Sequence, residues 1–366
     1  MVFAVLPLFI TAGLGAPALA VGIVEGVADG SSAVVKLWSG WYSDRIAWRK
    51  RLAVGGYGTT VVGLGLLLAV TSWPQVIFAR ALAWMGRGLR QPIRSAMLAG
   101  SVEKADLGKA FGFHEALDTA GALLGPAVAF ILLAAGHGFR TVFAVALVPG
   151  VLAVTFFGLL TRDPRTKRAQ SIPMREPLPS AFWRLIAAVA VFGAGNFATA
   201  FFTLRVVQML RPELSQAAAL SAAVGFYLAH NAVGAAVSFP AGWLADRIGK
   251  VPVLATAYAT FALACVVGVF GHGWVAVALL ALFVGAQNPV VSGVESSLSS
   301  SIVEEPRLGT AFGVLNAVNG VGDLASSVVA GVLWTFVSPA AAFGFGAVVC
   351  AAAASVLALR PPRQAP

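Results

Sequence analysis

The side chains able to do chemistry in this sequence lie inside long apolar stretches. An ionised group there costs at least about 2.5–3.5 kcal/mol on insertion scales, so each one needs a partner or a task. Glu25, Asp29 and Lys36 stand at i, i+4 and i+11, within about 40° of one another on a helix. Arg80, Arg87 and Arg94 form a heptad stripe, with Arg90 alongside. His114 and Asp118 share a helical face, and Glu115 lies beside them. The later half carries Arg205, Glu295 and Asp323 among neutral polar residues: Asn196, His230, Asn231, Gln287, Asn288, Asn316 and Asn319. Carboxylates and guanidinium groups so placed can carry protons, hold an ionic substrate, or form a static network that ties helices together.

Position separates these roles. Lys36, Arg90 and Arg94 lie toward one end of their stretches and read as structural ion-pair members. Glu25, Asp29, Arg87 and Asp118 lie nearer the middle, where a proton or substrate role competes evenly with a structural one; His114, Glu115, Arg205, Gln287, Asn288 and Glu295 complete the candidate set. His114, Glu115 and Asp118 also resemble the H-E-x-x-H zinc pattern with Asp as last ligand. A zinc enzyme needs a third ligand and an open water position, and no other His, Cys or Asp cluster supplies them convincingly. The same three residues could take a divalent cation as cargo. No cofactor site is read, and no G-x-x-x-x-G-K-[ST] sequence for a nucleotide occurs. A channel or receptor has no positive sign, and the chain is read as a transporter rather than an enzyme.

The elements that position these groups follow from composition. Of 366 residues, 58% are hydrophobic and 11% charged, and mean hydropathy is +0.85. A soluble domain carries roughly a quarter charged residues, so the chain is an all-α polytopic membrane protein; irregular backbone is excluded from lipid. Apolar stretches divide into twelve spans at 1–14, 17–43, 52–71, 73–98, 109–135, 140–161, 182–208, 216–244, 251–271, 273–300, 308–336 and 339–359. The third, sixth, ninth and twelfth have no charge in their centres, which suits them to face lipid. The first is short for a full crossing. A signal peptide ending near Ala18–Ala20 is one reading; a start assigned downstream, with part of the first helix missing, fits better, because no cation precedes the stretch. Cys265 and Cys350 sit deep in apolar sequence and read as packing residues.

With both termini cytoplasmic, seventeen Lys and Arg residues fall on inner loops, their flanking helix ends and the tail: Arg45, Arg49, Lys50, Arg51, Lys104, Lys109, Arg162, Arg165, Lys167, Arg168, Arg175, Arg184, Arg247, Lys250, Arg307, Arg360 and Arg363. Outer loops hold Arg140 and Arg211. This asymmetry orients the chain by the positive-inside rule. It accounts for most of the net charge of +10 without nucleic acid as a partner. Residues 162–181, with four prolines and a basic run, read as a cytoplasmic linker between an N-terminal six-helix bundle (1–161) and a C-terminal bundle with a short tail (182–366).

The two halves repeat. Gly40–Ile46 (GWYSDRI) returns as Gly242–Ile248 (GWLADRI), offset by 202 residues, and Gly108–Gly112 (GKAFG) returns as Gly309–Gly313 (GTAFG), offset by 201. Two segments that agree on one spacing indicate a duplicated six-helix unit. At an offset of 201, Arg94 corresponds to Glu295 and Asp118 to Asn319, so ion-binding chemistry is expected mainly in the first half.

These segments resemble the signature G-x-L-A-D-R-x-G-R-K-x-x-L of the major facilitator superfamily. The later copy keeps Gly242, Leu244, Ala245, Asp246, Arg247, Gly249 and Leu254. The earlier keeps Gly40, Asp44, Arg45 and Leu52, with Arg49 where the signature has Lys. Gly112, Gly121, Gly125 and Pro126 are similar to the G-x8-G-x3-G-P helix motif of the antiporter branch, although Ala129-Phe130 replaces its final glycine pair. The corresponding stretch of the second half has Ser326-Ser327 in place of Gly-Pro. The resemblance implies two bundles, rocking to expose a central cavity to each side in turn, with Asp44 closing the cytoplasmic side. It implies a monomeric secondary transporter of the inner membrane, proton-linked and working as an exporter. Proton-coupled uptake of an organic anion is the alternative.

Overall fold

The computed structural model describes residues 2–46, 48–161, 177–211 and 213–359. Regular structure among them is helical: α1 (Val2–Leu8), which runs into a π-helical turn at Phe9–Gly13, then α2 (Ala18–Ser43), α3 (Arg49–Leu66), α4 (Trp73–Ala99), α5 (Leu107–Ala134), α6 (Phe139–Leu160), α7 (Ser180–Gly193), α8 (Ala200–Leu210), α9 (Gln216–Ile248), α10 (Lys250–Phe270), α11 (Gly273–Ile302), α12 (Leu308–Phe336) and α13 (Pro339–Leu359). Most expected spans are recovered within a few residues. The expected linker and tail fall largely on residues outside those described.

By length and composition, seven helices can cross a membrane: α5, α6, the Ala222–Ile248 part of α9, α10, α11, α12 and α13. At 26 and 27 residues, α2 and α4 also exceed the roughly 20 that a bilayer requires. What lowers their apolar character is the set of charges that makes them candidates for function.

One expectation is corrected. Residues 182–208 are not a single helix but α7 and α8, interrupted between Gly193 and Ala200. Interrupted backbone inside a membrane must find partners within the protein. Here Ser326 Oγ donates to the Asn196 carbonyl at 3.0 Å, and the Ala198 amide donates to Ser327 Oγ at 3.1 Å. The serine pair that replaces Gly-Pro on α12 thus supports the break. Gly193 and Gly322 let the two helices approach at this point: a Cβ on Gly193 would lie 3.2 Å from Gly322 Cα.

The chain divides into two compact units. The first comprises Met1–Ser101, Gly121–Glu176 and Glu305–Ala317; the second comprises Val102–Ala120, Pro177–Glu304 and Val318–Pro366. The N-terminal parts of α5 and α12 are therefore each grouped with the opposite half of the sequence. In the first unit, α3 packs on α4 through Gly56 against Gly86, and α2 meets α4 through Ser32 against Gly88. Its apolar core gathers Leu6, Ile10, Val24 and Phe143. The second unit is built on an aromatic cluster. Phe197 and Phe202 pack on Phe261 and Phe343, and Phe192 stacks on Tyr258 with ring centroids 3.9 Å apart.

Candidate functional site

The repeated segments meet crosswise. At the C-terminal end of α2, the Asp44 carboxylate accepts from the amides of Gly309 and Thr310 at 2.8 and 2.6 Å, and from Thr310 Oγ1 at 2.6 Å. These amides open α12, where backbone donors have no helical partner and the macrodipole favours an anion. Arg49 holds the same carboxylate at 3.2 Å and donates through Nε to the Ser43 carbonyl. In the second unit, Asp246 accepts from the amides of Gly108 and Lys109, both at 2.8 Å, at the start of α5, with Lys250 Nζ 3.5 Å away. Glycine is required at both crossings. A Cβ on Gly40 would strike the Gly309 carbonyl oxygen, and one on Gly242 would strike that of Gly108.

The remaining signature residues have separate tasks. Arg45 lies over the Trp41 ring at 3.5 Å and Arg247 over Trp243 at 3.9 Å. Gly249 has φ +102°, which joins α9 to α10 in a conformation that side chains disfavour. Burial pushes the Asp44 carboxyl above the usual carboxylate range, against the bonds from Thr310 and Gly309 and the Arg49 charge, which pull it down.

Within the first unit, Glu25 Oε2 accepts from Arg80 at 2.8 Å. Arg80 is fully buried and lies under the Trp84 ring at 3.3 Å; Arg87 approaches that ring at 5.4 Å. Trp84 Nε1 donates to Asp29 Oδ1 at 2.8 Å. A mid-stretch position does not mean burial: Asp29 and Arg87 are exposed, and Glu25 is part-buried. Arg90 lies over Tyr57 at 4.4 Å, consistent with a packing role. Gln91 donates to Asn316 at 3.0 Å. Trp84 escaped the sequence reading, although its spacing of four from Arg80 and three from Arg87 places it on their helical face.

In the second unit His114 Nε2 lies 3.5 Å from Asp118 Oδ2, and the Asp118 side chain is 52% exposed. Glu115 borders Gly293. Among the described residues no three His, Cys, Asp or Glu side chains are grouped as a metal would require. Gly112 abuts α9, where a Cβ would lie 2.6 Å from the Ser238 carbonyl oxygen, whereas Gly121 has nothing within 4 Å. Close helix approach therefore explains Gly112 and not Gly121. Pro126 lies within α5, which continues past it.

Arg205 is turned to structure. It donates to the carbonyls of Gly268 and Val269, at 2.8 and 3.4 Å, at the C-terminal end of α10. Gln287 is buried with Nε2 unpartnered, and Asn288 is exposed. Glu295 is fully buried, accepting from Tyr258 Oη at 2.6 Å and from Asn319 Nδ2 at 2.8 Å.

Comparison with known proteins places this geometry. A family model described as Major Facilitator Superfamily matches residues 1–234 and residues 213–366. An uncharacterised MFS-type transporter of Methanocaldococcus jannaschii is 29% identical over 353 residues, covering 95% of this chain and 87% of that protein. An uncharacterised protein of Mycobacterium tuberculosis is 29% identical over 380 residues, covering 97% and 88%. Among solved structures, a bacterial homologue of the iron transporter ferroportin, in an outward-facing state, superposes with a TM-score of 0.76 at 15% identity over 98% of this chain and 94% of that one. The human organic anion transporter TETRAN gives 0.73 at 14% identity, over 95% and 88%.

Proposed function

The chain belongs to the Major Facilitator Superfamily and is a multi-pass membrane transporter of small molecules, and from that premise we propose that it exports its substrate in exchange for protons. The observation that carries this reading is Asp118. It is a half-exposed carboxyl inside the membrane-spanning α5, one turn from His114 and within the antiporter-like Gly112–Pro126 segment. Such a group can meet water and change protonation as the conformation changes. The protein works as a monomer in the cytoplasmic (inner) membrane, with residues 1–161 and 182–366 as its two bundles.

Growth of cells with and without expression, across a panel of toxic compounds, tests export. Expression is expected to raise the tolerated dose of at least one compound, and a protonophore to remove the gain. Accumulation of labelled organic acids without any such protection would favour uptake instead. The exposed Arg87 beside Trp84 supports that second reading, since a guanidinium at an aromatic face can take an organic anion.

Orientation is tested separately. A cysteine placed within residues 162–181 is expected to react only with reagents applied to the cytoplasmic side, because the basic excess retains that segment there. Labelling by an impermeant reagent in intact cells would reverse the assigned topology.

Asp44 acts as a latch between the end of α2 and the start of α12. Asp44→Asn keeps one acceptor oxygen but loses the charge. At about 1.5–3 kcal/mol for a bond to a charged group, the latched population should fall about tenfold to hundredfold. Transport slows while folded protein stays in the membrane. Spin labels at positions 48 and 305 should report less of the short distance in Asp44→Asn than in the wild type, because the variant loses the charge on which the bonds from Gly309, Thr310 and Arg49 depend. A population moving the other way would sink this assignment.

A further inference from the structure

We propose that Glu295 is a proton-binding site of the second repeat, carrying the proton in this conformation between Tyr258 and Asn319 and exchanging it by way of Asp323. Its link to substrate movement rests on the reading of proton-coupled transport; the protonation itself does not.

Burial seals the site from solvent. Glu295 has no exposed surface, and Tyr258, which donates to it, is fully buried beneath Phe192. Among the described residues no Lys or Arg forms an ion pair with Glu295. The titratable groups that act on it are Tyr258 from α10 and Asp323 from α12, one neutral and one acidic. An ionised Glu295 would be a bare negative charge without water, and a proton removes that charge.

Both partners donate to the carboxylate, and the acid form is reached by turning one hydroxyl. As a carboxylate, Glu295 accepts from the Tyr258 hydroxyl on Oε1 and from the Asn319 amide on Oε2. As an acid it can donate to the Tyr258 oxygen once the Tyr258 hydroxyl proton turns away, while Asn319 continues to donate to Oε2. Asp323 lies one turn beyond Asn319 on α12, exposed and held by Asn196 at the break between α7 and α8. A proton leaving Glu295 thus has an acceptor one helical turn toward water.

The repeat gives an independent argument. At an offset of 201, Tyr258, Glu295 and Asn319 correspond to Tyr57, Arg94 and Asp118. The tyrosine is kept, the base becomes an acid and the acid becomes an amide. The first copy carries one base and one acid at these positions. In the second the set is neutral only when Glu295 holds a proton, which takes the place of the missing counter-charge.

Infrared difference spectroscopy of the purified full-length protein in lipid nanodiscs, across a pH series, tests the proposal. The wild type should show the carbonyl-stretch band of a buried carboxylic acid that disappears as pH rises. Glu295→Gln, which keeps shape and both neighbours, should lose the band; Tyr258→Phe should shift it; Asp118→Asn should retain it. Asp323→Asn should keep the band but slow its shift on transfer to deuterated buffer. Absence of the band from the wild type at every pH, or its persistence in Glu295→Gln, overturns the site, and an unchanged deuteration rate in Asp323→Asn overturns the exchange route. If the band behaves as expected while transport ignores an imposed pH gradient, the site stands and proton coupling falls.

Discussion

Gly242→Val is expected to abolish transport while the chain still reaches the membrane. The reason is backbone geometry. A Cβ at residue 242 on α9 would overlap the carbonyl oxygen of Gly108 and lie 3.1 Å from Gly112 Cα on α5. Both obstacles are main-chain atoms of a helix, so no rotamer change relieves them. The helices must separate, and separation breaks the two 2.8 Å bonds from Gly108 and Lys109 to Asp246. Overpacking costs about 1–3 kcal/mol, and each lost bond to a charged acceptor about 1.5–3 kcal/mol. The sum disfavours the junction by more than a hundredfold. Gly344→Ala on α13 is the control, since nothing lies within 4 Å of its Cβ position. It should leave transport unchanged and melting unchanged or slightly higher, as alanine is the better helix former. Wild-type transport by Gly242→Val in proteoliposomes would show that the crossing is dispensable.

The sequence made Gly242 and Gly108 visible for a reason other than their contact. Both belong to repeated segments, and each repeat was legible as a match along the chain. That the copies cap one another crosswise was not legible, because pairings such as Asp44 with Thr310 depend on packing across 266 residues. Span positions were readable because bilayer thickness acts on sequence directly. Burial was not. Helical spacing puts Glu25, Asp29 and Lys36 on one face, but it does not tell what covers that face, so Arg80 is sealed while Asp29 is exposed. The break at Gly193 was hidden because its partners, Ser326 and Ser327, lie on another helix. Tyr258 was missed because an aromatic residue in an apolar span gives no signal of its own; its hydroxyl acquires meaning only beside Glu295.

The same limit applies to coupling, where several acids compete and exposure alone does not choose, since Asp29 is exposed as well as Asp118. Glu25 is tied to Arg80 at 2.8 Å and Asp29 accepts from Trp84 at 2.8 Å. Asp118 stands about 12 Å beyond Ala110 at 1.5 Å per residue, near mid-membrane. Half of its side chain is exposed, and His114 lies 3.5 Å away on the same face. A carboxyl that reaches water in one conformation and loses it in another is the group whose protonation a rocking transporter can drive. Asp118→Asn is therefore expected to abolish transport driven by a pH gradient, while substrate binding and exchange of labelled for unlabelled substrate continue near the wild-type rate. Asparagine has nearly the same volume and retains one acceptor, so a purely steric effect should be small, and retained exchange shows that the fold and the substrate site survive. The decisive measurement is in proteoliposomes with an imposed pH gradient and no membrane potential. If the Asn variant still concentrates substrate there, Asp118 only orients its neighbours on α5, and the coupling proton binds elsewhere.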